Sequence, residues 1–267
     1  MKVQYMSDLH MELFDNWLYI NENNIEAKGD VLVLAGDTLY LQDKDAPKHK
    51  IWDWASKNFR QVLIIPGNHE YYRNSDVTER GNSWQWMFRE NIGYYYNKVV
   101  RIDNTDFVLT TLWSRIPEQD MFHVQRGLND FQQILYDGHL FTPYDYNLEH
   151  EKCFSFLKKA VEESTAQHIV VVSHHLPSLS VVAPQHKGSV LNGAFATELG
   201  NYIANTRIDA WIYGHSHTNI DSSIGNTSIV SNQMGYVAYQ EYKTNGFQLC
   251  KVLDLEANRH LSGQDYE

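Results

Sequence analysis

The stretch Val31-Leu32-Val33-Leu34-Ala35-Gly36-Asp37 decides the fold class. Five apolar residues in a row, with no polar alternation, suit a strand buried on both faces. The run stops at once on Gly and Asp, a turn former followed by a metal-ligand type. Neighbouring segments repeat the arrangement. Lys2–Met6 leads into Ser7-Asp8-Leu9-His10, and residues 62–65 lead into Pro66-Gly67-Asn68-His69-Glu70. Residues 169–172 lead into Ser173-His174-His175, and Ala210–Tyr213 leads into Gly214-His215-Ser216-His217.

Helical stretches are expected between these runs at 48–60, 77–90, 148–163 and 195–205. Alternating strands and helices indicate a layered α/β domain. In such sheets ligands bind in the crevice beyond the carboxyl ends of the strands, where all five polar clusters would fall. Towards the C-terminus, 220–223, 227–230 and 247–253 read as strands with turns between them, a second sheet packed on the first. A single domain over 1–267 is expected. It carries an insertion at 113–147, rich in aromatics and turn formers, of the kind that often forms a functional lid.

Composition bounds the function. The chain has 267 residues, a formal net charge of −11, 43 % hydrophobic and 21 % charged residues, ordinary values for a chain that buries a core. An acidic balance argues against a sequence-independent grip on nucleic acid, which needs clustered Lys and Arg. It leaves a phosphate-bearing substrate open, because bound cations invert the field locally. Cys153 and Cys250 fit neither a zinc spacing nor a disulfide framework and read as reduced, buried thiols. The N-terminus turns acidic too early for a signal peptide, and no run reaches the ~20 apolar residues of a membrane span. A cytoplasmic location is expected.

Asp8, His10, Asp37, Asn68, His69, His174, His215 and His217 carry the chemistry. A lone His after a strand is more often a hydrogen-bonded structural residue than a ligand. Five strand-like runs, each capped by such residues, make joint coordination the better reading. Imidazole nitrogen and carboxylate oxygen suit divalent manganese, iron and zinc. Two ions about 3.5–4 Å apart can share a carboxylate and clamp the attacking and leaving oxygens of a displacement at phosphorus. Asp37, ending the second run, is the natural shared group.

Asp8-x-His10, Gly36-Asp37, Gly67-Asn68-His69-Glu70, His174 and Gly214-His215-x-His217 together resemble the calcineurin-like metallophosphoesterase superfamily. The blocks occur in order from Asp8 to His217, and the full set is specific although each block alone is not. The resemblance implies an α/β fold, a four-layer α/β/β/α sandwich of two mixed β-sheets flanked by helices. It implies two divalent ions per chain, of the manganese, iron, zinc, cobalt or nickel type. Asp8, His10, Asp37 and His217 would hold one ion, and Asp37, Asn68, His174 and His215 the other. A metal-bridging hydroxide would attack phosphorus, and His69 would protonate the leaving oxygen as general acid.

Around this set, His174 is taken as the ligand, and His175 as a residue that shapes the pocket or caps its strand. Glu12 and Glu70 read either as partners orienting ligands or as surface carboxylates. His123, His139, His150, His168 and His186 lack motif support and read as surface residues. Arg115, Arg126, Asn129 and Asp130, with Trp113 and Phe131, are candidate substrate contacts, although an aromatic-packed lid explains Trp113 and Phe131 better.

One departure narrows the substrate. Protein Ser/Thr phosphatases of the superfamily carry Gly-Asp-x-Val-Asp-Arg-Gly, whereas this chain reads Gly36-Asp37-Thr38-Leu39-Tyr40-Leu41. The phosphoryl-binding Arg and the second Asp are missing. The expectation is a phosphodiesterase or phosphomonoesterase acting on a small or nucleotide-like phosphate ester. A nuclease would want a basic stripe, and a non-catalytic scaffold would have lost ligands or the acid. A mononuclear zinc hydrolase would not need a bridging Asp37.

Overall fold

The computed structural model describes residues 1–256. The chain runs β1 (Lys2–Met6), α1 (Phe14–Glu22), β2 (Val31–Ala35), α2 (Lys50–Asn58), β3 (Gln61–Ile65), β4 (Ser75–Asp76), β5 (Trp84–Arg89) and β6 (Ile92–Tyr96). It continues through β7 (Lys98–Ile102), β8 (Thr105–Leu109), α3 (Met121–Gly127), α4 (Asp130–Gln133), β9 (Ile134–Tyr136), β10 (His139–Leu140) and α5 (Pro143–Glu163). β11 (His168–Val172), α6 (Gly200–Ala204), β12 (Ala210–Tyr213), β13 (Ser222–Ile224), β14 (Thr227–Ser231), α7 (Glu241–Thr244) and β15 (Val252–Asp254) complete it.

Two six-stranded mixed sheets result, ordered β15-β1-β2-β3-β6-β5 and β13-β14-β12-β11-β8-β7. Period-two packing explains the unbroken apolar runs. Val31, Val33 and Ala35 join Val170, Val172 and Ile212 in a core between the sheets. The alternate residues Leu32 and Leu34 face outward and pack with Ile20 of α1 and Trp52 of α2. On the other sheet Ile169, Val171 and Trp211 pack with Leu157 and Val161 of α5. Burying such runs on both faces contributes about 1.5–3 kcal/mol per large side chain. The expectation of mixed sheets flanked by helices holds.

Register places the site. Parallel pairing sets Met6 beside Leu34, Ala35 beside Ile65 and Val172 beside Ile212. The residues that follow, from Asp8 to His215, therefore emerge along one edge.

Several local expectations are corrected. No helix spans 77–90. Instead Trp84–Arg89 is a strand paired antiparallel with β6, because Gly81-Asn82-Ser83 breaks the chain and Trp84, Trp86 and Phe88 alternate with period two. The helix expected at 148–163 starts earlier, at Pro143, behind a Thr142–Asp145 capping box. The helix expected at 195–205 shrinks to Gly200–Ala204. The C-terminal strands do not form one new sheet: β13 and β14 extend the β12 side, while only 252–254 of the last segment is a strand, and it pairs with β1. His150 and His168 are buried rather than superficial. The His150 ring lies 3.2 Å from the Leu112 and Trp113 carbonyls, and His168 lies 3.3 Å from Asp209. Cys153 is buried, whereas Cys250 is only partly so.

The 113–147 insertion is not a loose flap. Trp113, Phe131, Phe141 and Tyr146 are buried in the outer core of the first sheet. Pairing of β9 with β4 and β10 ties it down further.

Candidate metal centre

The five strand ends converge. Asp8 (φ 54°), His10 (44°), Asp37 (52°), His215 (78°) and His217 (51°) all adopt left-handed backbone. Asp and His tolerate that region better than most residues, yet such conformations persist only where surrounding structure enforces them, and they cluster at functional sites. Gly67 admits the closest approach: a Cβ there would lie 2.2 Å from Asp37 Oδ1 and 2.7 Å from His174 Nε2. Only glycine fits.

The side-chain spacings match a coordination shell. His10 Nε2 lies 3.1 Å from His217 Nε2 and 3.7 Å from Asp37 Oδ2, and His217 Nε2 lies 3.5 Å from Asp8 Oδ1. His174 Nε2 lies 3.3 Å from Asp37 Oδ1, 3.1 Å from Asn68 Oδ1 and 3.2 Å from His215 Nδ1. Two ligand atoms each about 2.1 Å from one ion stand about 3.0–3.4 Å apart at octahedral or tetrahedral angles. Asp8, His10 and His217 form one candidate group, and Asp37, His174 and His215 another. The two oxygens of Asp37 face different groups.

Each histidine turns one nitrogen inward and gives the other to an oxygen. His10 Nδ1 meets Glu12 Oε1 at 3.0 Å, and His217 Nδ1 meets Glu241 Oε2 at 2.7 Å. His174 Nδ1 meets the Ala35 carbonyl at 2.9 Å, and His215 Nε2 meets the Ala194 carbonyl at 3.3 Å. An N–H donated outward leaves the inner nitrogen with its lone pair, the tautomer that a metal requires. Asn68 is oriented likewise: its Nδ2 donates to Asp130 at 2.9 Å, so its Oδ1 faces inward.

Charge fits the same picture. Burial opposes ionisation of Asp37, but His174 and His69 outweigh it and hold the carboxyl well below its usual range. Burial lowers His174, yet Asp37 outweighs it and lifts the pKa to about 9. A metal there would have to displace that proton. Burial and then the neighbouring His175 and His174 hold His215 well below its usual value.

His69 lies on the cleft wall. Its backbone N–H donates to Asp37 at 2.9 Å, its Nδ1 meets Glu12 at 3.2 Å, and its ring stacks on Tyr72 at 4.1 Å. Burial lowers its pKa, but Asp37 and Glu12 prevail and raise it to about 9. The cleft measures about 340 Å³. Among its described lining residues are Tyr72, Asn129, Asp130, Phe195, Tyr236 and Glu241, and no Lys or Arg.

The auxiliary expectations fare unevenly. Glu12 and Glu70 are internal rather than superficial. Glu70 accepts the backbone N–H groups of Asp37, Thr38 and Gly67, tying two ligand loops together. His175 does not reach the cleft: it is fully buried, with Tyr146 Oη 2.7 Å from its Nε2. Arg115 and Arg126 are exposed and stand outside the lining, and the Arg126 guanidinium lies over Phe122. Trp113 and Phe131 are core. Asn129 lines the cleft, and Asp130 holds Asn68 and Tyr72. Glu241 was not foreseen, since no spacing links it to His217.

A family model described as calcineurin-like phosphoesterase matches residues 1–219. Uncharacterized protein L509 of Acanthamoeba polyphaga mimivirus is 26 % identical over 283 residues, covering 95 % of this chain and 96 % of that one. The phosphopantetheinyl hydrolase PptH of Mycobacterium tuberculosis superposes with a TM-score of 0.66 at 15 % identity, over 100 % of this chain and 98 % of that one. TT1561 of Thermus thermophilus gives 0.50 at 12 % identity, over 96 % and 95 %. At such identities these two likenesses speak for the fold alone. No helix among the described residues is long and apolar enough to cross a membrane.

Proposed function

The chain belongs to the calcineurin-like phosphoesterase family, a family of metal-dependent phosphoesterases, and from that premise we propose that it hydrolyses a small phosphate ester at a binuclear centre. Asp8, His10, Asp37 and His217 would hold one divalent ion, and Asp37, Asn68, His174 and His215 the second. Two such ions, when bound, supply Lewis acidity and lower the pKa of a coordinated water. The observation that carries the reading is the set of four inward nitrogens, each with its partner nitrogen given to an oxygen.

The remaining roles belong to the chain. Asp37, with one oxygen towards each group, screens two cations from each other. Gly67 lets the loops close to that distance. His69 holds a proton, its Nδ1 anchored by Glu12, so the ring's other nitrogen is the one to hand that proton to a leaving oxygen. Neighbouring cations would draw its pKa down from about 9 towards the working range of a general acid. Tyr72 keeps the ring in plane against the cleft wall. A cleft of about 340 Å³ suits a small ligand. The lack of Lys and Arg among its described lining residues weighs against the nuclease alternative.

The test is metal content beside turnover. Reconstituted protein should bind close to two ions per chain and release nitrophenolate from p-nitrophenyl phosphate or its bis ester, and Asp37→Asn should lower the stoichiometry. A stoichiometry of one that Asp37→Asn leaves unchanged would sink the binuclear reading.

A further inference from the structure

A second cavity adjoins the metal cleft. It holds about 180 Å³ and is lined by Leu176, Val182, Ala183, Leu191 and Phe195 among others. Phe195 and Ser216 belong to both linings, so the two spaces share a wall. The Phe195 ring lies 4.6 Å from the ring of His215, one of the proposed ligands. Among the described residues no Asp, Glu, Lys or Arg lines this second cavity; its polar contributors are His186, Ser189, Asn192 and Ser216. Leu176, Val182 and Ala183 are buried and form a fixed floor. Leu191 lies close to Gly127 of the metal cleft, where an added Cβ would come within 3.0 Å of its methyl.

We propose that this cavity is the subsite for the organic part of the substrate, an uncharged ring-sized apolar group on the phosphate ester, reached across Phe195 from the phosphoryl position. The assignment rests on the phosphoesterase reading and narrows its substrate class. Size supports it: an apolar cavity of about 150 Å³ suffices to take up benzene. Chemistry supports it too. A sugar or a second phosphate would bring charge or many hydroxyls into a space without Lys or Arg, where Leu176, Val182, Ala183, Leu191 and Phe195 outnumber the polar contributors. An aromatic ring would desolvate apolar wall and stack near Phe195 at little cost.

Benzylphosphonate and methylphosphonate, non-hydrolysable and equal in charge, separate the two claims. Calorimetric titration of metal-loaded protein should give roughly 10- to 100-fold tighter binding of the benzyl compound, the range expected for burying one aromatic side group. Ala183→Phe, which fills the floor, should bring the ratio of the two affinities to near one. Leu191→Asn, at a half-buried position, should lower it several-fold, and it stands in should the filled variant fail to fold. Equal affinities in the parent protein, or a ratio untouched by a folded variant, would overturn the subsite. Turnover is read apart: selective benzyl binding without hydrolysis of any ester would leave the subsite standing and remove the phosphoesterase reading.

Discussion

Removal of the Glu241 carboxylate should weaken one metal position and spare the other. Glu241 Oε2 accepts from His217 Nδ1 at 2.7 Å and from the Tyr236 backbone N–H at 2.6 Å. Its effect is visible on Glu241 itself: burial raises the carboxyl, but the bond to His217 prevails and lowers it. In Glu241→Ala the His217 ring loses the bond that fixes both its tautomer and its rotation. A charge-assisted bond contributes about 1.5–3 kcal/mol, and the carboxylate is about 31 % exposed, so solvent screening favours the lower end. About 1.4 kcal/mol is a tenfold change, within the roughly 10–100-fold known for loss of a ligand-orienting partner. Competition with a chromogenic chelator should resolve one site weakened roughly tenfold and one unchanged. Gly235→Ala should act in the same direction, because a Cβ there would lie 2.3 Å from Glu241 Oε2. Equal weakening of both sites, or none in a folded Glu241→Ala protein, would refute the assignment of His217 to one ion only.

Other outcomes follow from the same geometry. His69→Asn should keep its metals while slowing turnover by roughly 10²–10⁴ with alkyl leaving groups and much less with nitrophenolate, measured as kcat across leaving-group pKa. Gly67→Ala should abolish metal binding in equilibrium dialysis, since its methyl would sit 2.2 Å from Asp37 Oδ1. Added metal should raise Tm: one site at 100 times its Kd supplies about 2.7 kcal/mol, or roughly 5–10 °C for a chain of this size, and calorimetry that finds no dependence would count against both sites. Away from the cleft, Asp106 is held below its unfolded value first by its bond to Arg101 and, against burial, by Ser164. Its contribution is therefore present above about pH 4 and lost as pH falls through the folded value. Asp106→Asn should be less stable than the parent at pH 7, and the gap in denaturant midpoint should narrow steadily as pH falls below about 4.

The strands that deliver the ligands were legible because two kinds of signal coincided there. Residues 31–35 are apolar without interruption, include the β-branched Val31 and Val33 and are stopped at once by Gly36, which together suit a strand covered on both faces, and they lead straight to Asp37. Where only one signal existed, the reading failed. Trp84, Trp86 and Phe88 do alternate, but the alternation of Lys98–Ile102 is hidden among short polar turns, and Thr105–Leu109 is buried throughout and has none to show. The converging Asp, Asn and His set was readable, whereas much of the layer behind it was not. Glu12 lies two residues from His10 and could be suspected. Glu241 comes 24 residues after His217 and reaches it only because the chain folds back through Gly235 and Tyr236. Asp130, a candidate substrate contact because it sits in a loop-like insertion, does line the cleft, and what the sequence does not show is that its carboxylate also holds Asn68 and Tyr72. A polar residue's spacing says what it can bind; only tertiary packing decides whether it faces ligand or core.

The charge inventory of the cleft explains why an acidic chain can act on anions. Asp37, Asp130 and Glu241 line the cleft, and the buried carboxylates of Asp8 and Glu12 lie behind, against His217 and His10. No Lys or Arg among the described lining residues offsets them. A phosphate ester approaching these carboxylates alone would meet like charge at short range, where the interaction is strong and poorly screened. Divalent ions would add to the positive charge of His69 and reverse that field, so on this reading they help to bring the substrate in as well as to break its bond. The missing Arg of the protein-phosphatase motif fits the same division of labour. On the proposed reading metals and His69 would deal with the phosphoryl group, and Tyr72, Phe195 and Tyr236 offer uncharged surface beside it. Discrimination among esters would then depend on the uncharged part of the substrate, because phosphoryl recognition through shared cations cannot tell one ester from another.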